Sequence, residues 1–245
     1  MSSDKELFDK ISKIYAEKDR YFVSKVARKF QLDQVLSLPN IKNRNTLDVL
    51  EIGCGSGANS QYLKPYRSFH GVDFSCELIE FAKRNYSDDK TSFESSDLKN
   101  FSSEKKYDII LCIGVIHHLD EIKLVLDNVK LYLKNDGIFL ILEPSSSNFI
   151  IQFSRYFRKK VDRTYSDQQI YFSRKELSEI LNNSHFNLVK IKNQGYFTPP
   201  FAQVLLKPKF IFYPILIICI YLDGILFKKN FPFSWNIALL ASKKN

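Results

Sequence analysis

The stretch DVLEIGCGSGAN, Asp48 to Asn59, decides the fold. It runs from an apolar, strand-like segment into Gly53, Gly55 and Gly57, with Glu51 two residues ahead of the first glycine. Glycine permits positive φ and puts no side chain between the backbone and a ligand, so such a loop can hold a flat, polar molecule against its turn. The pattern alone leaves the ligand open. Gly53, Gly55 and Ala58 also satisfy the G-x-G-x-x-A dinucleotide fingerprint, and Asp73 at the end of the next strand suits a ribose diol in either case. A plain tight turn is the remaining reading.

Working outward, short apolar runs alternate with helical stretches. TLDVLEI, SFHGVDF, TSFESS, YDIILCIGV and GIFLILE read as strands, and helices should start near Asn59, Cys76 and Asp120. Strands without polar alternation, joined by helix-length crossovers, predict a buried parallel sheet with helices on both faces. This is a doubly wound α/β fold, whose ligands bind beyond the strand C-terminal ends. An amphipathic basic helix over roughly residues 5 to 38 leads in, with Leu7, Ile11, Ile14 and Tyr15 on one face. Ser173 and Glu176 form a capping box ahead of Leu177, Ile180 and Leu181, predicting a further helix there.

Composition narrows the class. With 245 residues, 44% hydrophobic and 26% charged, the chain can bury one sizeable core and is not a disordered one. The net charge of +9 is unevenly placed: residues 1–150 carry 21 Lys and Arg against 22 Asp and Glu, and residues 151–245 carry 15 against 5. An anionic partner should therefore meet the C-terminal end. Cys54, Cys76, Cys112 and Cys219 form no C-x-x-C pair, which fits free thiols in a reducing compartment. The opening MSSDKELFDK is polar and carries no apolar export core, so the expectation is a cytoplasmic protein.

Five segments in order carry a resemblance. The chain resembles the class I S-adenosylmethionine-dependent methyltransferases, particularly the small-molecule branch, closely over residues 46–144 and more loosely beyond. LEIGCGSG is similar to the family's first motif and GVDFS to its second-strand end; SSDLKNF, YDIILCIGVIHHLD and LKNDGIFLILEP follow as the third, fourth and fifth. The resemblance implies one domain with a seven-stranded Rossmann-like sheet. Residues 1–45 would form a helical cover, 46–144 the cofactor core, 145–200 substrate-side loops with a helix and the sixth strand FNLVKIKNQGYF, 201–233 an apolar and basic insertion, and 234–245 the last, antiparallel strand. It also implies S-adenosylmethionine as cofactor, with Glu51, Gly53, Cys54, Gly55 and Gly57 at its methionine portion, Asp73 on the ribose and Asp97 at the adenine. Phe74, Leu98, Ile113 and Gly114 complete the expected contacts. Where the family often has a small residue and glycine, this chain has Ser184 and His185, a departure at a helix-to-strand turn and at no cofactor position.

Methyl transfer mainly requires a nucleophile held in line with water excluded. For a hydroxyl acceptor a base helps, and histidine has a suitable pKa. His117 and His118 sit just past the fourth strand and are the catalytic candidates; a purely structural pair is the alternative. Asp97 as a turn acid, and Asp48, His70 and His185 as structural residues, are the corresponding plain readings. No metal is required, and the scattered histidines have no metal-ligand spacing. A nicotinamide-dependent oxidoreductase and a non-catalytic cofactor-binding protein remain as rivals from other classes.

The segment KPKFIFYPILIICIYLDGILFKK holds 13 residues without a charge, Phe210 to Leu222. A spanning helix wants about 20 apolar residues, and a single crossing would leave the flanking strands on opposite sides of the bilayer, so the segment is not expected to span. It is either a buried helix or homodimer contact, or an apolar lid or in-plane contact with an anionic membrane surface. The second reading draws on Lys207, Lys209, Lys228 and Lys229 and on the cluster Arg155 to Arg163, interleaved with Phe149, Phe153, Tyr156 and Phe157. The acceptor is then a small, lipophilic molecule methylated at oxygen; a polar small metabolite or sugar is the alternative. No nucleic-acid partner is expected, because the basic residues accompany aliphatic runs and no reading module is present. IGVIHH also lacks the N-P-P-Y-like signature of enzymes that methylate base or glutamine nitrogens.

Overall fold

The computed structural model describes residues 12, 17–41, 43–148 and 170–244. Among them seven strands form one sheet: β1 (Asp48–Ile52), β2 (Ser68–Asp73), β3 (Thr91–Ser95), β4 (Tyr107–Ile113), β5 (Leu133–Pro144), β6 (Phe186–Gln194) and β7 (Asn236–Lys243). Their order is β3-β2-β1-β4-β5-β7-β6. The first five are mutually parallel, and β7 runs antiparallel between β5 and β6. The strand order reverses between β1 and β4, and that crevice is where ligands of such sheets bind.

The two sides of the sheet follow from strand alternation. Leu50 and Ile52 of β1, with Ile110, Cys112, Phe139, Ile141 and Leu239, pack under helices α4 (Ile122–Tyr132) and α5 (Arg174–Asn183). Val49, with Ile109, Leu111, Leu140, Ala238 and Leu240, packs under α1 (Phe22–Leu36), α2 (Asn59–Leu63) and α3 (Cys76–Tyr86). Both faces are apolar because both are covered. Removing one fully buried ring, such as Phe139, should cost about 3–5 kcal/mol.

The capping box forms as expected, with the Glu176 N–H donating to Ser173 Oγ at 3.2 Å and the Ser173 N–H to Glu176 Oε2 at 2.7 Å. Ser184 and His185 keep the turn the family makes with glycine: His185 takes the left-handed conformation itself, at φ +60°. The expected N-terminal helix is not continuous. Residues 17–20 are helical, the chain bends at Tyr21, and α1 begins at Phe22. Leu7, Ile11, Ile14, Tyr15 and the cluster Arg155 to Arg163 with its aromatics lie outside the described residues.

Between β6 and β7 the chain forms α6 (Pro199–Gln203) and the 21-residue helix α7 (Lys209–Lys229). The length objection to a spanning helix therefore fails, since α7 is long and apolar enough by composition. The topological objection holds, because β6 and β7 pair directly along their length. The buried-helix reading also falls: only 17% of the most apolar window of α7 is buried.

Candidate active site

The loop after β1 is shaped by its glycines. Gly53, Gly55 and Gly57 have φ of +68°, +52° and +76°, which L side chains rarely adopt. A Cβ on Gly53 would also stand 2.3 Å from a Val115 methyl, so packing as well as conformation demands glycine there. At Gly55 nothing among the described residues lies within 4 Å of a Cβ, leaving open space against the backbone.

Asp73 closes this loop from the end of β2. Its Oδ2 accepts the Gly55 N–H at 2.8 Å and its Oδ1 the Ser75 N–H at 2.9 Å. The carboxylate that the resemblance puts on the ribose thus also holds the glycine loop in shape. Phe74, partly buried, follows it.

Glu51 is 1% exposed. Its Oε1 accepts from Asn59 Nδ2 at 2.6 Å, while Oε2 is buried with no hydrogen-bond partner among the described residues. Burial, reinforced by the neighbouring Asp73 charge, pushes its carboxyl up to about 8. A buried orphan acceptor beside an open glycine loop fits a ligand that brings its own cation, such as the ammonium of a methionine. Cys54, buried in the same loop, has its thiol pushed well above the ordinary value by burial and stays an inert apolar contact.

A second clamp was invisible in the sequence. Asp19, 3% exposed, hydrogen-bonds Ser56 in the glycine loop and lies 2.9 Å from Arg28 of α1. In the charged run AEKDR nothing marks Asp19 as buried.

Asp97 and Leu98 follow β3. Asp97, half-buried, accepts the Lys99 N–H at 3.0 Å; Leu98 is buried, and its carbonyl accepts from Asn128 Nδ2 at 3.2 Å. Ile113 ends β4, and Gly114 follows at φ +68° with its N–H on Leu142 O at 2.7 Å.

The histidine pair sits in the next turn, a 3-10 segment at Ile116–His118. His117 is 6% exposed, with Nδ1 2.7 Å from Glu143 Oε2. Glu143 is fully buried near the end of β5, and its Oε1 accepts the N–H groups of Val115 at 2.9 Å and Ile116 at 2.8 Å. With Glu143 accepting from both backbone groups, its second oxygen is placed to accept from Nδ1 as well, an assignment that turns Nε2 away from the carboxylate. His118, more exposed, lies ring to ring at 4.0 Å. Sequence reasoning missed Glu143, although an acid closing the apolar run GIFLILE was its signal.

Residues 15–191 match the family model described as a methyltransferase domain. The chain belongs to the S-adenosylmethionine-dependent methyltransferases. A malonyl-[acyl-carrier protein] O-methyltransferase of Priestia megaterium (strain DSM 319 / IMG 1521) is 30% identical over 54% of this chain and 51% of its own length. The chain thus spans about half of that relative. A ubiquinone biosynthesis O-methyltransferase of Rickettsia bellii (strain OSU 85-389) is 22% identical over 78% of this chain and 84% of its own. Among solved structures, magnesium protoporphyrin IX methyltransferase from Synechocystis PCC 6803 with bound S-adenosylhomocysteine superposes with a TM-score of 0.64 at 15% identity, covering 99% of each chain, a likeness of fold.

For this methyltransferase, Asp48, His70 and His185 lie away from the crevice. Asp48 starts β1, at the opposite end from the glycine loop, among Arg67, Lys105 and Lys134. His70 of β2 pairs with Ser92 of the edge strand β3 at 2.8 Å.

The loop after β6 is held by α7. Asp223 of α7, wholly buried, accepts the N–H groups of Tyr196 at 3.1 Å, Phe197 at 2.9 Å and Thr198 at 3.1 Å, with the Thr198 hydroxyl at 2.6 Å. Buried amides extend the tie: Asn236 donates to Gln194 at 3.0 Å and Gln194 to Gln34 of α1 at 2.8 Å. In the sheet, Gln194 pairs with Asn236 and Asn236 with Pro144, so this loop leaves the same edge as Glu143 and the glycine loop.

Proposed function

We propose that the enzyme methylates a hydroxyl of a small, lipophilic acceptor in the cytoplasm, at a membrane surface, with His117 as the base. The observation that carries the choice of oxygen is the Nδ1 contact of His117 with Glu143, which leaves Nε2 as a proton acceptor. A hydroxyl loses its proton on methylation, and a positioned base is useful there. Two relatives named as O-methyltransferases support the same atom. The apolar helix beside the crevice supports a lipophilic acceptor, and four free thiols support a reducing compartment.

When bound, S-adenosylmethionine supplies a methyl group already activated on sulfur. Glu51 and the backbone of Gly53 to Gly57 would hold its methionine portion, Asp73 and Phe74 its ribose, and Asp97 and Leu98 its adenine. Glu143 orients the His117 ring through Nδ1, and Nε2 receives the acceptor's hydroxyl proton. The buried walls at Val115 and Ile116 keep water from competing for that proton.

Incubating purified enzyme with methyl-labelled S-adenosylmethionine and a cell lysate tests the reading. Label in an organic-phase small molecule, with the methyl carbon resonance of an O-methyl group, is the expected result. Label confined to an aqueous metabolite or sugar overturns the lipophilic acceptor; label in protein or nucleic acid overturns the small-molecule assignment.

A further inference from the structure

Helix α7 has two faces of different fate. Leu216, Asp223 and Phe227 are buried, and Phe212, Tyr213, Cys219 and Ile220 pack with them toward α1 and α6. The opposite arc exposes Phe210 at 76%, Ile218 at 61% and Tyr221 at 70%, with Ile211, Ile217 and Leu222 beside them. By helical spacing these form one continuous stripe along the helix. A contiguous apolar stripe of this length on a folded domain marks an interaction site.

Its charge pattern selects the partner. From Val204 to Phe233 the only acid is Asp223, which is buried among backbone N–H groups, while Lys228 and Lys229 close the helix on the exposed arc. Lys209 begins it, over the Phe22 ring at 3.8 Å. Cations flank the apolar stripe, and no exposed acid interrupts it. Protein interfaces carry about one hydrogen bond per 100–200 Å² and a mixed polar rim; this face offers Tyr221 as its one side-chain hydroxyl. Spanning is excluded by the β6–β7 pairing, so the helix can meet a bilayer only in its plane.

We propose that the outer arc of α7 docks on an anionic lipid bilayer, with its isoleucines and aromatics at the acyl boundary and Lys228 and Lys229 at the headgroups. The same helix grips the loop after β6 through Asp223, so docking places the acceptor side of the crevice at the lipid surface. The inference deepens the lipophilic-acceptor reading by naming where that acceptor is met, but its test requires neither acceptor nor methyl donor.

The full chain is sedimented with vesicles of phosphatidylcholine alone and of phosphatidylcholine mixed with phosphatidylglycerol, and S-adenosylhomocysteine binding is measured on the same preparations. The chain should pellet with the mixed vesicles, and Ile217→Ser with Ile218→Ser should abolish pelleting while S-adenosylhomocysteine binding is kept. Lys228→Glu with Lys229→Glu, at exposed positions that leave the core intact, should weaken it by about tenfold or more, as should added salt. Wild-type protein that stays in the supernatant overturns the proposal, as does equal pelleting with neutral vesicles. A dimer that the Ile217 and Ile218 changes split into monomers assigns the face to a second copy instead. Loss of S-adenosylhomocysteine binding by the wild type would count against the cofactor site and leave the docking result standing.

Discussion

Glu51 is an acid that the fold holds protonated near neutrality. Its carboxyl, raised to about 8, lies well above the ~4.3 of an unfolded chain. Between those values the folded state keeps a proton that the unfolded state has lost, so stability without cofactor should fall as pH rises through that window. An ammonium group arriving at Oε2 would reverse the balance and expel the proton. Calorimetry of S-adenosylmethionine binding at pH 7 in two buffers of different ionisation enthalpy should show proton release, and Glu51→Gln should remove it. Equal heats in both buffers for the wild type would disprove contact with the ammonium. At the histidine pair, His117→Ala should lower turnover by about 100-fold or more with S-adenosylhomocysteine affinity nearly kept, and His118→Ala should do less. Equal small losses would return both to a structural role. Glu51 and the glycines were legible because they stand together in one short run, and Asp73 because it closes the next apolar run. Glu143 and Asp19 were not, because their partners His117 and Ser56 lie 26 and 37 residues away.

Among the elements, the turn from α5 to β6 shows a local rule being met at a cost. His185 sits at φ +60°, where glycine is usual, with its N–H on Asn182 O at 3.1 Å. His185→Gly should therefore stabilise the protein by about 0.5–1 kcal/mol, or roughly 2–4 °C in melting temperature; a lower melting temperature would show that the imidazole contributes more than its backbone costs. Strand and helix positions were readable because apolar runs, caps and glycines set them locally. The length of α7 was misjudged because the sequence shows Asp223 as a break in an apolar run. In the fold it is a buried acceptor for three backbone N–H groups and a hydroxyl, and the helix continues through it. Asp223→Ala strands those donors and should cost about 2–4 kcal/mol, measured by urea unfolding. An unchanged midpoint would mean that water replaces the carboxylate without loss.

For the molecule as a whole, the two ends of the sheet divide the labour. The C-terminal edge carries the glycine loop and the His117–Glu143 pair, while the N-terminal edge is held by charge. Burial would raise the Asp48 carboxyl, but hydrogen bonds from Arg67, Ser68 and Lys105 outweigh it and hold it well below the usual range. A depressed acid stabilises above its unfolded value of ~3.9, and that stability is lost as pH falls from there through the folded value. Asp48→Asn should flatten this acid limb while leaving cofactor binding unchanged; an identical limb would place the acid sensitivity elsewhere. The overall fold class was legible in the sequence because alternation of strand and crossover dictates it. The seating of α7 was not, since its partners, Gln34 and the loop after β6, come from distant segments.

The direct pairing of β6 with β7 around α7 has one more consequence. A peptide that coils into a helix only when it reaches a surface loses chain entropy at that moment, and its affinity is lowered accordingly. Here the helix lies between two paired strands and its own buried Asp223 grips the loop after β6, so that entropy is already gone when the chain has folded. Contact with any surface should leave the far-ultraviolet circular dichroism unchanged, and association should be fast and rigid-body in character. The same preformed stripe faces water whenever no surface covers it, which makes self-association at high concentration the natural hazard of this architecture.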